Sequence, residues 1–145
     1  MIGAILVVCI GNICRSPMAE GLMREALPGR RVWSAGLEAI PGAPADALAA
    51  AVCAERGLDL SAHRAQRLTL AHLMRADLVL VMDAVQKSAI QQLYLPGSGK
   101  VFLIDQHGGP GVPDPYGHPR SAFERALAQI RQGVREWTAR IGSLH

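Results

Sequence analysis

The chain has only three cysteines, an odd number, so a secreted scaffold with every thiol paired is excluded, and reduced thiols in a cytoplasmic protein fit better. It has no run of Lys or Arg, and its net charge is a mild +3. Dedicated nucleic-acid binders concentrate their basic residues, so no nucleic-acid partner is expected. The mild positive balance favours acidic or phosphorylated partners instead. The start, Met1 to Val8, lacks a charged opening, and the apolar run is broken by Gly11, Asn12 and Arg15. Neither a signal peptide nor membrane insertion is expected. No third and fourth ligand accompany Cys9 and Cys14, so a metal site is not expected. The Gly-x4-Gly-Lys-Ser/Thr pattern of a nucleotide-binding loop is missing too. Repeats, linkers and low-complexity tails are absent, and 145 residues suit one domain, 1–145, with a real core.

The stretch that organises the chain runs from Val8 to Pro17. Ala4 to Val8 reads as a short buried strand. Met18 to Leu27 is helix-forming, with Ala19, Leu22, Met23 and Ala26 on one apolar face and Arg15, Ser16 and Pro17 in its first turn. The tight loop between them ends at a helix N-terminus, where unpaired N–H groups and a positive macrodipole favour an anion. Cys9 opens this loop and Arg15 closes it. An arginine fork suits two oxygens of a phosphate dianion, and both Arg15 and the helix end favour a thiolate at Cys9. A cysteine ending a buried strand is ordinarily just a small hydrophobe. Cys-x5-Arg with Gly11-Asn12 inside it, Ser16-Pro17 after it and a strand before it is far more specific than any of its parts.

Further along, Arg31 to Gly36 reads as a second strand and Leu37 to Pro44 as a loop. A helix is expected over Ala45 to Arg56, ended by Gly57, and a short one over Leu70 to Met74 capped by Thr69. Leu78 to Met82 reads as a strand apolar on both faces, and Val101 to Ile104 as a fourth strand. Asp83 with Gln86, and Ser121 with Glu124, resemble capping boxes. Asp105 to Pro119 is a long Gly/Pro-rich loop of the sort that is usually functional or disordered. Phe123, Leu127, Ile130, Val134, Trp137 and Ile141 form the core stripe of a last helix. Four strand–helix alternations predict a three-layer α/β fold: a doubly wound, four-stranded parallel sheet with helices on both faces. Ligands in such sheets bind at the carboxyl ends of the strands, where Cys9 falls.

Cys9 to Pro17 resembles the signature of the low-molecular-weight protein-tyrosine phosphatases. Ser34-Ala35-Gly36, Gly57 to Ala65, Ala76 to Asp83 and Asp114 to Gly117 agree with that family in order, over nearly the whole chain. The chain is most similar to bacterial members that serve exopolysaccharide or capsule synthesis, which share the Ser34-to-Leu37 continuation.

With that resemblance, Cys9 is expected to take the phosphoryl group and Arg15 to clamp two equatorial oxygens, strengthening its grip in the transition state. Backbone amides from Ile10, Gly11, Asn12, Ile13, Cys14 and Arg15 supply the remaining donors. Gly11 permits close approach, and Asn12 tolerates a left-handed conformation. Ser16 is expected to donate to the Cys9 thiolate, though a solvent-facing first-turn serine is an equal alternative. The resemblance assigns Ser34 and His63 to holding the Asn12 side chain, and Asp114 to general acid, where the residues alone would suggest an Asp-Pro turn. Tyr116 is expected to wall the pocket, opposed by Leu37 and Ile40, because Leu37 to Ala43 holds no aromatic residue. His107 and His118 are expected to be exposed loop residues. Ala65-Gln66-Arg67 stands where the family usually has Ala-Arg-Gln, which leaves the role of Arg67 open. Cys14, inside the cradle, is a candidate redox partner for Cys9.

The resemblance implies a cytoplasmic, monomeric phosphotyrosine-protein phosphatase without cofactor or metal, acting on a cognate tyrosine kinase of polysaccharide synthesis. Arsenate reduction on the same fold would need two further cysteines after the third strand, and Cys53 is the only other one. A phosphotyrosine-reading module would need neither Cys9 nor Asp114.

Overall fold

The computed structural model describes residues 2–105 and 111–143. The order is β1 (Ala4–Cys9), α1 (Arg15–Ala26), β2 (Arg31–Gly36), α2 (Ala47–Ala54), α3 (Leu70–Arg75), β3 (Leu78–Val81), α4 (Ala84–Leu93), β4 (Val101–Leu103) and α5 (Arg120–Ser143), with a 3-10 turn over Leu95–Lys100 before β4. The four strands form one parallel sheet in the order β2-β1-β3-β4. The chain moves outward from β1 to β2, then returns past β1 to build β3 and β4. The α/β doubly wound expectation therefore holds.

Side-chain alternation in β1 explains why both faces are covered. Ile5, Val7 and Cys9 point to one layer, where Met18, Leu22 and Met23 of α1 pack with Phe123, Leu127 and Ile130 of α5. Leu6 and Val8 point to the other, against Leu73 of α3, Ile90 of α4, and Val79 and Val81 of β3. Every expected stripe residue of the last helix is buried, and Trp137 also donates its indole N–H to the Leu103 carbonyl at 3.1 Å. Burying such a side chain contributes about 1.5–3 kcal/mol, so the two layers clamp the central strand.

Helix ends differ from the sequence expectation where the chain has other business. The helix expected over Ala45 to Arg56 is shorter because Asp46 caps it, accepting from Leu48 N–H, while the Asp46 N–H is held by the Ile13 carbonyl. Thr69 caps α3 as expected, with His72 as the reciprocal partner. Asp83 caps α4 by accepting from Gln86 N–H, but Gln86 Oε1 accepts from Met82 N–H instead of closing the box. α5 begins at Arg120, so Ser121 lies inside its first turn and not at its cap.

The strand ends align. Cys9 pairs with Gly36, Val8 with Val81 and Val81 with Leu103, so four loops leave the sheet at one edge. Gly36 is obligatory there: a Cβ would sit 2.6 Å from the Ile10 carbonyl oxygen. The loop after β2 can therefore lie directly on the loop after β1.

Candidate active site

The loop after β1 wraps back over its own first residue. Asn12 donates its backbone N–H to the Cys9 sulfur at 3.2 Å, and Ser16 Oγ lies 2.9 Å from the same sulfur. Asn12 Nδ2 donates to Ser16 Oγ at 2.7 Å, which leaves the Ser16 proton free for Cys9. This turn requires Asn12 at φ +55, the left-handed region that asparagine tolerates. Cys9, Asn12, Arg15 and Ser16 are all buried.

The Asn12 side chain is the hub that fixes the loop. Besides Ser16, its Nδ2 donates to Ser34 Oγ at 2.9 Å, and its Oδ1 accepts from Gln66 N–H at 2.9 Å. Ser34 in turn donates to Glu20 Oε1 at 2.6 Å, and Gln66 Nε2 donates to the Ser34 carbonyl at 2.8 Å. A continuous chain thus runs from the Glu20 carboxylate through Ser34, Asn12 and Ser16 to Cys9. His63 differs from expectation: its Nε2 meets the Asn12 main-chain oxygen at 2.6 Å and not the Asn12 side chain. Glu20 and Gln66 were missed by the sequence reading. In the unusual Ala65-Gln66-Arg67 order both Gln66 and Arg67 are exposed, but Gln66 reaches Asn12 and Ser34 through its backbone N–H and its Nε2, whereas among the described residues Arg67 is bridged only through its backbone, to Gly36.

Arg15, at the N-terminus of α1, reaches across to the segments after β3 and β4. Its Nη1 donates to the Val112 carbonyl at 2.8 Å, with Asp83 Oδ2 at 3.7 Å, and its Nη2 lies 3.8 Å from Asp114 Oδ2. Val112 N–H is bound to the Met82 carbonyl, so the segment that carries Asp114 is tied to the end of β3. Gly111 makes that possible at φ +108, where a Cβ would meet the Met82 oxygen at 2.7 Å. Asp83 is a third omission, and its position after a central strand was the available signal. Asp105, the other loop carboxylate, makes no ion pair with Arg15 among the described residues.

A cavity of about 240 Å³ opens over Cys9, Ile10, Gly11, Ile13, Cys14 and Arg15. Glu38, Ile40 and Ala43 from the loop after β2 form one side, and Asp114 and Tyr116 from the loop before α5 form the other. Leu37 is a correction: it packs beneath, against the layer that holds Leu6 and Val8, while its backbone N–H binds the Cys9 carbonyl. His118 is exposed, as expected, and His107 lies outside the described residues. Burial, reinforced by Asp46 and Asp114, pushes the Cys14 thiol well above the ordinary range, against the opposing pull of Arg15. Cys53 is buried in α2 and pushed up to about 11. Among the described residues, no three His, Cys, Asp or Glu side chains are grouped to hold a metal ion, and no helix is long and apolar enough to cross a membrane.

A thiol in a nest of N–H groups, a guanidinium beside it and a carboxyl at the rim are the parts of a cysteine-based phosphomonoester hydrolase. Comparison with known proteins agrees. Residues 4–144 match the family described as low molecular weight phosphotyrosine protein phosphatase. The chain is 51% identical over 144 residues to a probable low molecular weight protein-tyrosine-phosphatase, EpsP, of Ralstonia nicotianae, covering 99% of each. Among solved structures it resembles Vibrio vulnificus Wzb in complex with benzylphosphonate, with a TM-score of 0.93 and 38% identity over 97% of this chain and 99% of that one. It also resembles the YwlE arginine phosphatase of Geobacillus stearothermophilus, with a TM-score of 0.90 and 33% identity over 97% and 93%. The chain belongs to the low-molecular-weight protein-tyrosine phosphatases, and its activity is that of a protein-tyrosine phosphatase.

Proposed function

We propose that this chain hydrolyses phosphotyrosine through a cysteinyl-phosphate intermediate. Cys9 attacks phosphorus as thiolate while the bond to the phenolic oxygen breaks, and Asp114 gives that oxygen its proton. Water then attacks the phosphorus as the S–P bond breaks, Asp114 takes the water's proton, inorganic phosphate leaves and the Cys9 thiolate is restored. Ser16 donates to the sulfur in both its free and departing forms. Loop amides from Ile10 to Arg15 and the Arg15 fork hold the three equatorial oxygens, and Ser34 and His63 keep that loop in shape. The observation that carries the reading is the meeting of Cys9, Arg15 and Asp114 in one cavity whose sides include Ile13, Ile40 and Tyr116, apolar surface suited to an aryl ring. The resemblance to polysaccharide-system members supports a cytoplasmic monomer acting, without cofactor, on the tyrosine-rich tail of a cognate kinase.

The test combines two variants with two leaving groups, in the presence of a chelator. Cys9→Ser should abolish turnover while vanadate still binds, because the cradle is backbone and Arg15. Asp114→Asn should slow phosphorylation by phenyl phosphate by about 10²- to 10⁴-fold, the usual worth of general-acid help. An activated nitrophenyl ester should lose far less, since its phenolate leaves without a proton. Turnover by Cys9→Ser, or equal losses for both esters in Asp114→Asn, would remove the corresponding role. Running phosphoarginine beside phosphotyrosine measures the choice between the two leaving groups.

A further inference from the structure

We infer that Glu38 is a specificity-determining residue, favouring phosphotyrosine segments with a basic side chain beside the phosphotyrosine and disfavouring acidic ones. This rests on the phosphotyrosine reading given above. The chain as a whole is positive, yet its pocket is not: Glu38 and Asp114 line it against the single cation Arg15. Arg15 is committed to the phosphate, and Asp114 to the leaving oxygen. Glu38 has no such task, and among the described residues its carboxylate has neither an ion pair nor a hydrogen bond. A carboxylate left on the rim of a site for a dianion repels its own substrate unless something cationic arrives with that substrate.

Its placement is rigid. The Glu38 backbone N–H is held by the Ile10 carbonyl at 2.9 Å, Leu37 N–H is held by the Cys9 carbonyl at 3.0 Å, and Ala39 beside it is buried. Gly36 makes this contact between loops close, as its missing Cβ shows. Glu38 therefore presents its charge from a base fixed to the phosphate loop itself. It stands on the β2 side of the pocket, across from Asp114 and Tyr116. A phosphotyrosine side chain seated between them brings its neighbouring residues to this rim.

The test measures kcat/KM for phosphotyrosine peptides of equal length flanked by Lys, by Ala or by Glu. For an exposed pair, the Lys-over-Glu ratio of the native protein should fall by about two- to fivefold in Glu38→Gln, and it should invert in Glu38→Lys. The native preference should also shrink in about 1 M salt, where the screening length is about 3 Å. Comparing peptides within each variant cancels any change in active fraction and any general effect on the phosphate. Peptide turnover with the same Lys-over-Glu ratio in the native protein and Glu38→Gln would overturn the Glu38 inference alone. Failure of the native protein to turn over any phosphotyrosine peptide, while it hydrolyses phenyl phosphate, would overturn the phosphotyrosine reading and this inference with it.

Discussion

Replacing Asn12 by Asp changes almost nothing in shape and should nevertheless cost several kcal/mol. Asn12 is fully buried, and its Nδ2 donates to both Ser16 and Ser34. An Asp keeps the Oδ1 that accepts from Gln66 and tolerates the left-handed backbone, but it presents an acceptor where two hydroxyl oxygens wait. To satisfy it, Ser34 would have to release Glu20 and Ser16 would have to release Cys9. Two lost hydrogen bonds at about 1 kcal/mol each, plus a few kcal/mol for an unpaired buried charge, give about 4–5 kcal/mol near pH 8. Native domains have about 5–15 kcal/mol in all, so the variant should fold but be fragile. The sign of its pH dependence identifies the cause. Burial raises the folded-state pKa of the introduced carboxyl above its unfolded value of about 3.9, so the folded form binds more protons. The charge part of its deficit is then absent below the unfolded pKa and grows as pH rises, by up to about 1.4 kcal/mol per unit, until the folded pKa is passed. Asn12→Ala loses bonds but carries no charge, so its deficit should not change with pH. Urea unfolding of both variants and the native protein at pH 5 and pH 8 measures this. A deficit for Asn12→Asp below about 1 kcal/mol, or one equal at both pH values, would refute the account of Asn12 as a directional donor.

Gly111→Ala should destabilise the fold by about 1–3 kcal/mol, the scale of one strained backbone position, and should slow turnover by moving Asp114 off Arg15; native activity and native urea midpoint together would refute it. Burial and the Arg75 charge hold the His72 imidazole below the usual histidine range, and its neutral Nδ1 accepts from Thr69 N–H. The stability this contributes, at most about 1 kcal/mol, is present above the unfolded histidine pKa of about 6.5 and is lost as pH falls through the folded one; His72→Gln should flatten that step in the urea midpoint measured from pH 8 to 5. Peroxide should oxidise Cys9 to a sulfenic acid, which the Cys14 thiol converts to a disulfide with loss of water; because Cys14 is held protonated, closure should be slow at neutral pH and faster at alkaline pH, and equal recovery of native protein and Cys14→Ser on adding thiol would disprove it.

The fold was legible because each level of the sequence said the same thing. Strands apolar on both faces can only be interior to a layered sheet, and the six-residue stripe from Phe123 to Ile141 can only be the inner face of a long helix. Boundaries shifted where a tertiary bond competes with a local one. α2 starts late, at Ala47, because Asp46 caps it with its own N–H taken by Ile13, and Gln86 leaves the capping box open because its Oε1 accepts from Met82 N–H. Propensity weighs only local alternatives, so neither competition could be read from it.

The site was legible where its residues follow one another and obscure where the fold brings distant segments together. Cys9 to Ser16 share one loop, so their spacing alone describes a cradle. Asp83 reads as a helix cap from sequence, and only the parallel pairing of β1 with β3 sets it 3.7 Å from Arg15. Its apolar side chain makes Leu37 an expected wall, but a residue one step beyond a strand keeps the strand's alternation. It continues the face of Ala35, toward the layer with Val8, and the next residue meets the pocket. That residue is Glu38, so an apolar wall is replaced by a charge. The same step reverses what net charge suggested. A total of +3 is summed over the whole surface, whereas a bound segment senses charges within about one screening length, about 10 Å at 0.1 M salt. The charges that line the pocket are Arg15, Glu38 and Asp114, with Asp83 3.7 Å from Arg15, and once the phosphate has taken Arg15 the remainder is negative. A phosphorylated partner is still drawn to this protein by its phosphate, but the residues beside that phosphate are chosen by a carboxylate.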